Sequence, residues 1–228
     1  MYAIALIPMA GSGIRFNYSK NKAFYPLLDK PIALYSLNTF QNNTNISEII
    51  PIVKEDDMAE CMELIENNNI TKVEKIAPGG VTRQESVFHA LKLVNQEDAI
   101  VLIHDGARPF VNDNLINDSI SALAQNDGVV CAVRLVDTIK EIRDGYVKKT
   151  FNRDNLIAVQ TPQTFHYKTL FKAYKKIIDS EQIFTDDAAI VEKNGGKIIV
   201  VPGSYENIKI TTRQDVKYAE FILRTNKS

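Results

Sequence analysis

The sequence predicts an α/β protein built on a mainly parallel, twisted β-sheet. Short apolar runs rich in β-branched residues alternate with longer stretches of helical period, which is the pattern of repeated βαβ units. The apolar runs are AIALIP (3–8), EIIPIV (48–53), AIVLIHD (99–105), VVCAVRLV (129–136) and KIIVVP (197–202). Runs this apolar suit strands that are covered by helices on both faces. We therefore predict a Rossmann-like three-layer sandwich formed by a single domain over residues 1–228.

Helix signals lie between these strands. PIALYSLNTF (31–40) and DDMAECMELI (56–65) have helical period. Thr82 with Glu85, and Thr211 with Gln214, have the spacing of a capping box. We therefore predict that helices begin at both pairs.

Residues 136–160 interrupt the βαβ rhythm with strand-like alternation around Asp144-Gly145, a strong signal for a two-residue hairpin turn. We predict a hairpin arm that leaves the core. An isolated hairpin must cover its apolar side chains, and a second subunit can do so. The sequence therefore predicts a homodimer formed through this arm.

The chain has 228 residues with 27 basic and 28 acidic side chains, for a formal net charge of −1. So balanced a charge argues against partners drawn by an overall field, and we expect neither nucleic acid nor membrane binding. The two cysteines, Cys61 and Cys131, lack the spacing of a metal site or disulfide scaffold. No apolar run reaches the ~20 residues that span a bilayer, and the apolar start lacks a basic leader and a cleavage site. We therefore predict a cytoplasmic protein that begins at Met1.

The loop after the first strand, which begins AGSG, is the first candidate ligand site. Ligands of open α/β sheets bind beyond the carboxyl ends of the strands. Gly11 and Gly13 let the backbone approach a ligand and turn its N–H groups toward an anion. Neither common phosphate loop is present, because Phe16 replaces the third glycine of a dinucleotide loop and no Walker pattern occurs. For these glycines alone, a flexible turn is an equal alternative.

Two cations in the same loop, Arg15 and Lys22, suit a polyphosphate ligand, although loop cations are usually just solvated. The surrounding string IPMAGSGIRFNYSKNKAFYPLLDKPIALYSL (7–37) resembles the opening signature of nucleotidyltransferases that transfer CMP to a sugar or polyol phosphate. In that signature small residues and glycines lead to an Arg, and a Lys follows seven residues later. An aromatic residue, Pro-Leu-Leu and Lys-Pro-Ile come next.

The resemblance continues along nearly the whole chain. Further motifs follow in order: PGGVTRQESV (78–87), LIHDGARPFV (102–111), VDTIKE (136–141), NRDNLIAVQTPQTF (152–165) and TDDAAIVEKNGGKIIVVPGSYENIKITT (185–212). Together they resemble the 2-C-methyl-D-erythritol 4-phosphate cytidylyltransferase family of the non-mevalonate isoprenoid pathway. One departure is visible, since the family usually has Pro-Lys-Gln where Asn21-Lys22-Ala23 stands here.

The resemblance implies transfer of CMP from CTP to the polyol phosphate, with direct in-line displacement of pyrophosphate. A phosphate monoester has a second pKa of ~6, so the attacking oxygen needs no general base. Catalysis then consists of positioning, with cations and Mg²⁺ or another divalent cation neutralising charge at the phosphorus. Arg15 and Lys22 stand at the family positions that stabilise the transition state. The implied catalytic set is Arg15, Lys22, Arg153 and Lys209.

Other implied site residues follow predicted strands. Asp105 would serve the metal ion and the polyol phosphate, although a lone Asp-Gly more often caps a turn. Arg108 would brace this loop beside the substrate. Gly80 and Ser86 would read the pyrimidine from a turn that presents free N–H groups and excludes a purine. The implied nucleotide contacts are Ala10, Gly11, Ser12, Gly13, Gly80, Ser86, Gly106 and Ala107.

Thr138, Arg153 and Lys209 stand at the family positions that hold the polyol phosphate. Thr138 and Arg153 lie on the arm, so an arm that crosses between subunits would give a shared active site. The alternative for Arg153 is a surface ion pair, worth about 0 to 1 kcal/mol. Lys209 lies between Ile208 and Ile210, and alternation directs its side chain to the opposite face.

Three acidic or basic residues are assigned to structure. His104 is expected to pack rather than react, because nothing near it in the sequence suggests a nucleophilic dyad. Asp186 and Asp187 resemble paired metal carboxylates, but acidic residues also suit the first turn of a helix, whose dipole they complement.

Three other functions are alternatives to the one that the resemblance implies. Ribitol-5-phosphate cytidylyltransferases share the cationic loop, but HDGARPF and TRQESV look more like the methylerythritol family. A non-catalytic nucleotide sensor would have no need to keep all the implied catalytic cations. A dinucleotide oxidoreductase is disfavoured by the missing third glycine.

Overall fold

The computed structural model describes residues 2–11, 16, 21–178, 180 and 182–225. Its strands are β1 (Ala3–Pro8), β2 (Pro26–Leu27), β3 (Lys30–Pro31), β4 (Glu48–Val53), β5 (Ala77–Pro78), β6 (Ile100–Ile103), β7 (Gly128–Arg134), β8 (Lys140–Arg143), β9 (Tyr146–Thr150), β10 (Ile157–His166) and β11 (Ile198–Pro202). Seven of them form one sheet in the order β11-β7-β10-β6-β1-β4-β5. β2 pairs with β3, and β8 pairs with β9, as two small antiparallel units.

The main sheet is parallel except at β10, which confirms the predicted sheet type. β10 is antiparallel to both of its neighbours, β6 and β7. The sequence did not predict this strand, and residues 157–160, which we placed in the arm, belong to it. The reason is its composition, because Gln160, Thr161, Gln163 and Thr164 are buried polar residues and give no apolar run.

Seven α-helices occur among the described residues. They are α1 (Ile32–Asn42), α2 (Met58–Asn67), α3 (Arg83–Leu91), α4 (Asp113–Ala122), α5 (Tyr167–Ile177), α6 (Asp187–Lys193) and α7 (Arg213–Thr225). All but α7 cover the main sheet. α1, α2 and α4 share a core with one face of β1, through Ala5 and Ile7. α3, α5 and α6 share a core with the other face, through Ile4 and Leu6. The predicted three layers are therefore confirmed.

The two predicted capping boxes have different outcomes. At α3 the Thr82 side chain accepts from the Glu85 backbone N–H, and the Glu85 side chain accepts from the Thr82 N–H, so this box is confirmed. At α7 the carboxylate that caps the helix start lies one residue later than predicted. The Asp215 carboxylate accepts from the Thr212 N–H at 2.8 Å and from its hydroxyl at 3.0 Å, so the predicted pair Thr211–Gln214 is wrong.

α7 and the opening loop form a third, smaller core. Phe16 is fully buried there with Leu27, Ile210 and Val216. The Arg213 guanidinium lies 4.9 Å from the centre of the Phe16 ring. Phe16, the residue that breaks the dinucleotide-loop pattern, is thus packed into this core.

The predicted hairpin is present as β8 and β9. Asp144 and Gly145 both have positive φ, 52° and 82°, as a two-residue turn of this kind requires. Every residue of the two strands is exposed. Across the described ranges, no helix combines the length and apolar character needed to cross a bilayer.

Candidate active site

A cleft of about 530 Å³ opens at the carboxyl edge of the sheet. β6, β1, β4 and β5 are adjacent and parallel, so the loops that follow them meet at this edge. The cleft is lined by Pro8, Met9, Ala10, Gly11, Asn21, Lys22, Ala23, Lys54, Gly80, Val81, Thr82, Arg83, Ser86, Asp105, Ala107, Lys209 and Thr211.

The structure gathers eight of the predicted site residues at this cleft. They are Ala10, Gly11, Lys22, Gly80, Ser86, Asp105, Ala107 and Lys209. Ser12, Gly13 and Arg15 lie outside the described residues. Gly106, Arg108, Thr138 and Arg153 are described but do not line the cleft.

Asp105 follows β6 and is enclosed by three cations. Its Oδ2 lies 2.8 Å from Lys209 Nζ and 3.5 Å from Arg108 Nε, and its Oδ1 lies 4.0 Å from Arg83 Nη2. Burial opposes its ionisation, but the charges of Lys209, Arg83 and Arg108 outweigh burial and hold the pKa of the carboxyl well below its usual value. Asp105 is therefore ionised at neutral pH.

The surroundings of Asp105 do not fit its predicted role as a metal ligand. A carboxylate with an ammonium at 2.8 Å and a guanidinium at 3.5 Å has its charge compensated already. No group of three or more His, Cys, Asp or Glu side chains that could hold a metal occurs within the described ranges. The role that this geometry supports for Asp105 is to orient Lys209 and Arg108.

The turn before α3 departs from the expectation of free N–H groups. The Gly80 N–H donates to Ser86 Oγ at 2.9 Å, and the Val81 N–H donates to Glu85 Oε2 at 2.7 Å. The Gly79 N–H donates to the Val53 carbonyl at 2.6 Å. Hydrogen bonds to Val53, Glu85 and Ser86 thus consume the donors that the sequence assigns to a ligand. A Cβ on Gly80 would collide with Glu85 Cβ, so this tight turn requires glycine.

Gly106 makes close packing between two strand ends possible. Its N–H donates to the Pro8 carbonyl at 3.1 Å, and a Cβ on it would lie 2.6 Å from Met9 Cγ. The neighbouring Ala107 faces the cleft, and its carbonyl accepts from the Ile210 N–H at 2.8 Å. Gly106 therefore holds β1 against β6 behind the cleft.

Lys22 and Lys209 bring two ammonium groups to the cleft from opposite ends of the chain. Lys22 Nζ donates to the Ile210 carbonyl at 3.0 Å. Lys209 pairs with Asp105, while Ile210 is fully buried behind it. The predicted alternation of Lys209 and Ile210 is therefore what the structure has.

Arg108 and His104 brace the floor of the site. Arg108 Nη1 donates to the Asn207 carbonyl at 2.8 Å, which ties the β6 loop to the segment that carries Lys209. His104 is fully buried, with Nε2 3.1 Å from the Arg108 carbonyl and Nδ1 3.1 Å from Thr161 Oγ1. A neutral ring with its proton on Nε2 satisfies both contacts. His104 packs and does not line the cleft, as predicted.

The arm residues lie away from the cleft of their own chain. Arg153 is exposed, and its Nη1 donates to the Val136 carbonyl. Thr138 is also exposed at the base of the arm. The structure does not bring either residue to Lys22 or Lys209 within one protomer.

Sequence reasoning missed several residues of the site, among them Arg83, Lys54 and Thr161. Arg83 lines the cleft and pairs with Asp187 at 2.6 Å, and Lys54 lines it directly after β4. Thr161 of β10 accepts from the Asp105 N–H at 3.1 Å. The position of Lys54 after an apolar strand was a usable signal. Thr161 carried none, because its strand was not recognised.

Asp186 and Asp187 have the structural roles assigned to them. Asp186 caps α6 by accepting from the Ala189 N–H at 2.9 Å. Asp187 is fully buried, where it accepts from Arg83 and, at 2.5 Å, from the Tyr174 hydroxyl. Asp187 therefore also fixes a cation of the cleft.

This site has cations and a glycine-containing loop at the carboxyl edge of a mainly parallel sheet. Such a site is typical of α/β nucleotidyltransferases. Comparison with known proteins is more specific. The model of the 2-C-methyl-D-erythritol 4-phosphate cytidylyltransferase (IspD) family matches residues 3–225. The chain belongs to this family.

Proteins similar to this chain match it over nearly its whole length. The 2-C-methyl-D-erythritol 4-phosphate cytidylyltransferase of Clostridioides difficile is 43% identical over 100% of this chain and 95% of its own length. The enzyme of the same name from Clostridium novyi is 41% identical over 98% of this chain and 97% of its own length. The crystal structure of 4-diphosphocytidyl-2C-methyl-D-erythritol synthase from Anaerococcus prevotii has a TM-score of 0.86 and 34% identity, over 98% of this chain and 96% of that one.

Proposed function

We propose that this protein transfers CMP from CTP to 2-C-methyl-D-erythritol 4-phosphate, giving 4-diphosphocytidyl-2-C-methyl-D-erythritol and pyrophosphate. Besides membership of the family, the observation that carries the proposal is the pair of ammonium groups on Lys22 and Lys209 at one cleft. In a chain of net charge −1 such local positive charge fits two polyanionic substrates. The ribitol phosphate and sensor alternatives have no observation in their favour.

The chemical step is a direct displacement at phosphorus. A phosphate oxygen of the polyol phosphate forms a bond to the α-phosphorus of CTP, and the bond from that phosphorus to the bridging oxygen of the leaving pyrophosphate breaks. Lys22 and Lys209 screen the repulsion between the two anions and stabilise the charge of the transition state. A covalent enzyme intermediate is not part of this step. Cys61 and Cys131 lie outside the cleft, and burial raises the pKa of each thiol to about 12.

The turn at Gly80 suits a cytosine base. Its N–H groups are engaged, so in this proposal the turn contacts the base through its carbonyl oxygens. A carbonyl accepts from the N4 amino group of cytosine, whereas uracil presents an acceptor at that position. The turn is also packed against β4 and α3, through the Gly79–Val53 and Gly80–Ser86 hydrogen bonds, which limits room for a purine.

A divalent cation such as Mg²⁺ belongs to the proposal as a partner of the nucleotide. Mg²⁺ commonly binds through substrate phosphates with few protein ligands, and it would neutralise phosphate charge during the displacement. Because cations surround Asp105, the metal would be held by the triphosphate. The chain itself would bind and orient the two anions.

We also propose that the protein acts in the cytoplasm as a homodimer joined through the arm. Ile142 and Tyr146 on the hairpin are 71% and 80% exposed, and Val136 at its base is 70% exposed. Apolar side chains this exposed favour cover by a second subunit. A partner would bring the arm residues Thr138 and Arg153 to a cleft that they do not reach in their own chain.

A pyrophosphate-release assay tests the function by combining each of the four nucleoside triphosphates with methylerythritol phosphate or ribitol 5-phosphate. We expect release with CTP and methylerythritol phosphate only. In this assay Lys22→Ala should lower kcat about a hundredfold, since a preorganised charge contact is worth ~3 kcal/mol in the transition state. Lys30→Ala, which removes an exposed lysine outside the cleft, is the matched control.

Two results would contradict the proposal. CTP binding without pyrophosphate release for either polyol phosphate would restore the sensor alternative. A covalent nucleotidyl-protein adduct would exclude direct displacement.

A further inference from the structure

Asn21 is a buried amide whose side chain joins three parts of the cleft wall. Only 9% of the residue is exposed. Its Nδ2 donates to the Met9 carbonyl at 2.6 Å and to Asp57 Oδ2 at 2.8 Å. Its Oδ1 accepts from the Ala23 N–H at 3.0 Å. One side chain thus links the end of β1, the turn after β4 and the turn that carries Lys22.

The hydrogen bonds of Asn21 are well suited to hold its side chain and the following turn in a fixed position. Both donor hydrogens of its amide are used, and its oxygen caps the short 3-10 turn Lys22–Phe24. A buried polar group with its donors satisfied is costly to displace, because moving it leaves the donors without partners. Ala23 and Phe24 are buried as well, so the turn is fixed on both sides of its backbone.

The backbone at position 21 does not by itself require asparagine. Its φ of −66° and ψ of 125° are values that proline adopts. Proline would hold the same backbone but could make none of the side-chain hydrogen bonds. The specific contribution of asparagine here is therefore the link to Met9 and Asp57.

We propose that Asn21 is a positioning residue for the reaction, which acts by fixing Lys22 relative to the end of β1, with Asp57 as its partner. Lys22 is the next residue along the chain, and its ammonium reaches across the cleft to the Ile210 carbonyl. A displacement of the turn therefore moves this ammonium relative to both bound anions. The inference rests on the proposed role of Lys22.

A double-mutant cycle on kcat tests the inference. In the otherwise unaltered protein, Asn21→Ala should lower kcat about tenfold or more, because a misplacement of ~1 Å can cost a hundredfold. The KM for CTP should change less than about threefold, since the nucleotide-binding turns stay in place. In the Lys22→Ala background the same substitution should produce no further loss, because the group it positions is gone.

Two further variants separate positioning from folding. Asn21→Leu keeps a branched side chain of similar shape but removes all of its hydrogen bonds, and it should lose kcat like Asn21→Ala. Asp57→Asn keeps an oxygen acceptor for the Asn21 amide and should retain most of kcat. Asp56→Asn changes an exposed neighbouring carboxylate and is the matched control. Thermal unfolding of each variant establishes that the compared proteins are folded.

The outcomes distinguish this inference from the proposed function. If Lys22→Ala keeps its turnover, the role of Lys22 fails and the inference fails with it. If Lys22→Ala loses turnover but Asn21→Ala is equally harmful in both backgrounds, Asn21 has only a structural role and the inference alone is wrong. Normal turnover of a folded Asn21→Leu would also overturn it.

Discussion

At the scale of single residues, the end of β6 carries two buried ionisable neighbours, of which one is neutral and the other is charged at pH 7. His104 is fully buried, and burial lowers the pKa of its imidazole to about 4. Asp105 is also buried, yet the cations around it keep its carboxyl ionised. The difference arises because His104 meets a carbonyl and a hydroxyl, whereas Asp105 meets three charges of opposite sign. One residue supports the loop and the other orients the cations of the site.

The low pKa of His104 predicts a loss of stability in mild acid. The unfolded chain binds a proton near the ordinary histidine pKa of ~6.5, and the folded chain binds it only near 4. Between these values the unfolded state holds more protons, so the free energy of unfolding should fall as the pH falls, by about 1 kcal/mol per pH unit. Urea unfolding at pH 7, 6 and 5 measures this slope.

His104→Gln should flatten that slope, whatever its stability at pH 7. The same substitution at His166, which is partly exposed, is the control for loss of an imidazole and should keep the slope. An unchanged slope in His104→Gln would show that other groups cause the acid sensitivity.

At the scale of elements, the starts of two helices shape the cleft. At α3, Glu85 accepts from the Val81 and Thr82 N–H groups and Ser86 accepts from the Gly80 N–H, so the preceding turn is held by its own helix. The α7 cap uses Asp215, which accepts from the N–H groups of Thr211 and Thr212 at 2.9 and 2.8 Å. Burial opposes ionisation of Asp215, but these bonds outweigh it and lower its pKa. The cap holds Thr211 at the cleft and α7 against the opening loop.

The shifted cap of α7 predicts unequal effects at two adjacent positions. Asp215→Ala should lower the free energy of unfolding by about 1 kcal/mol, the usual contribution of a helix cap. Gln214→Ala, an exposed position in the same turn, should change it by less than ~0.5 kcal/mol. Chemical denaturation of both variants measures the difference. Equal losses at the two positions would support the box Thr211–Gln214 instead.

At the scale of the whole molecule, the proposed homodimer would supply the cleft of one protomer with the arm of the other. The cleft collects residues from both ends of the chain, but Thr138 and Arg153 remain outside it. The arm that carries them is exposed along its full length. A dimer in which each arm reaches the other subunit would bury this hairpin and complete two sites at once.

A shared site predicts recovery of activity on mixing two inactive variants. Lys22→Ala lacks a cation of the cleft, and Arg153→Ala lacks one of the arm. In a mixed dimer one of the two sites has both Lys22 and Arg153. Random pairing makes about half of the dimers mixed, so re-equilibrated equal mixtures should recover about a quarter of wild-type turnover. Each variant alone, diluted and re-equilibrated in the same way, is the control. No recovery, although mixed dimers form, would show that each arm serves its own chain.

Local patterns in the sequence were sufficient for most of the fold. The strands at 3–8 and 48–53, the Asp144-Gly145 turn and the α3 cap depend on side-chain period or on residues a few positions apart, which the sequence displays directly. β10 escaped prediction because its buried half is polar and its pairing is set by distant strands. Resemblance to the family supplied the roles that spacing could not.

The sequence by itself determined the α/β class, the positions of most strands of the main sheet and the turn of the hairpin arm. Only the tertiary structure decided the surroundings of Asp105, the loss of free N–H groups before α3 and the links made by Asn21. These depend on charges and hydrogen-bonding groups that are remote in sequence and meet only when the sheet is assembled. A local pattern records which side chain is present, and the folded chain decides which partner it has.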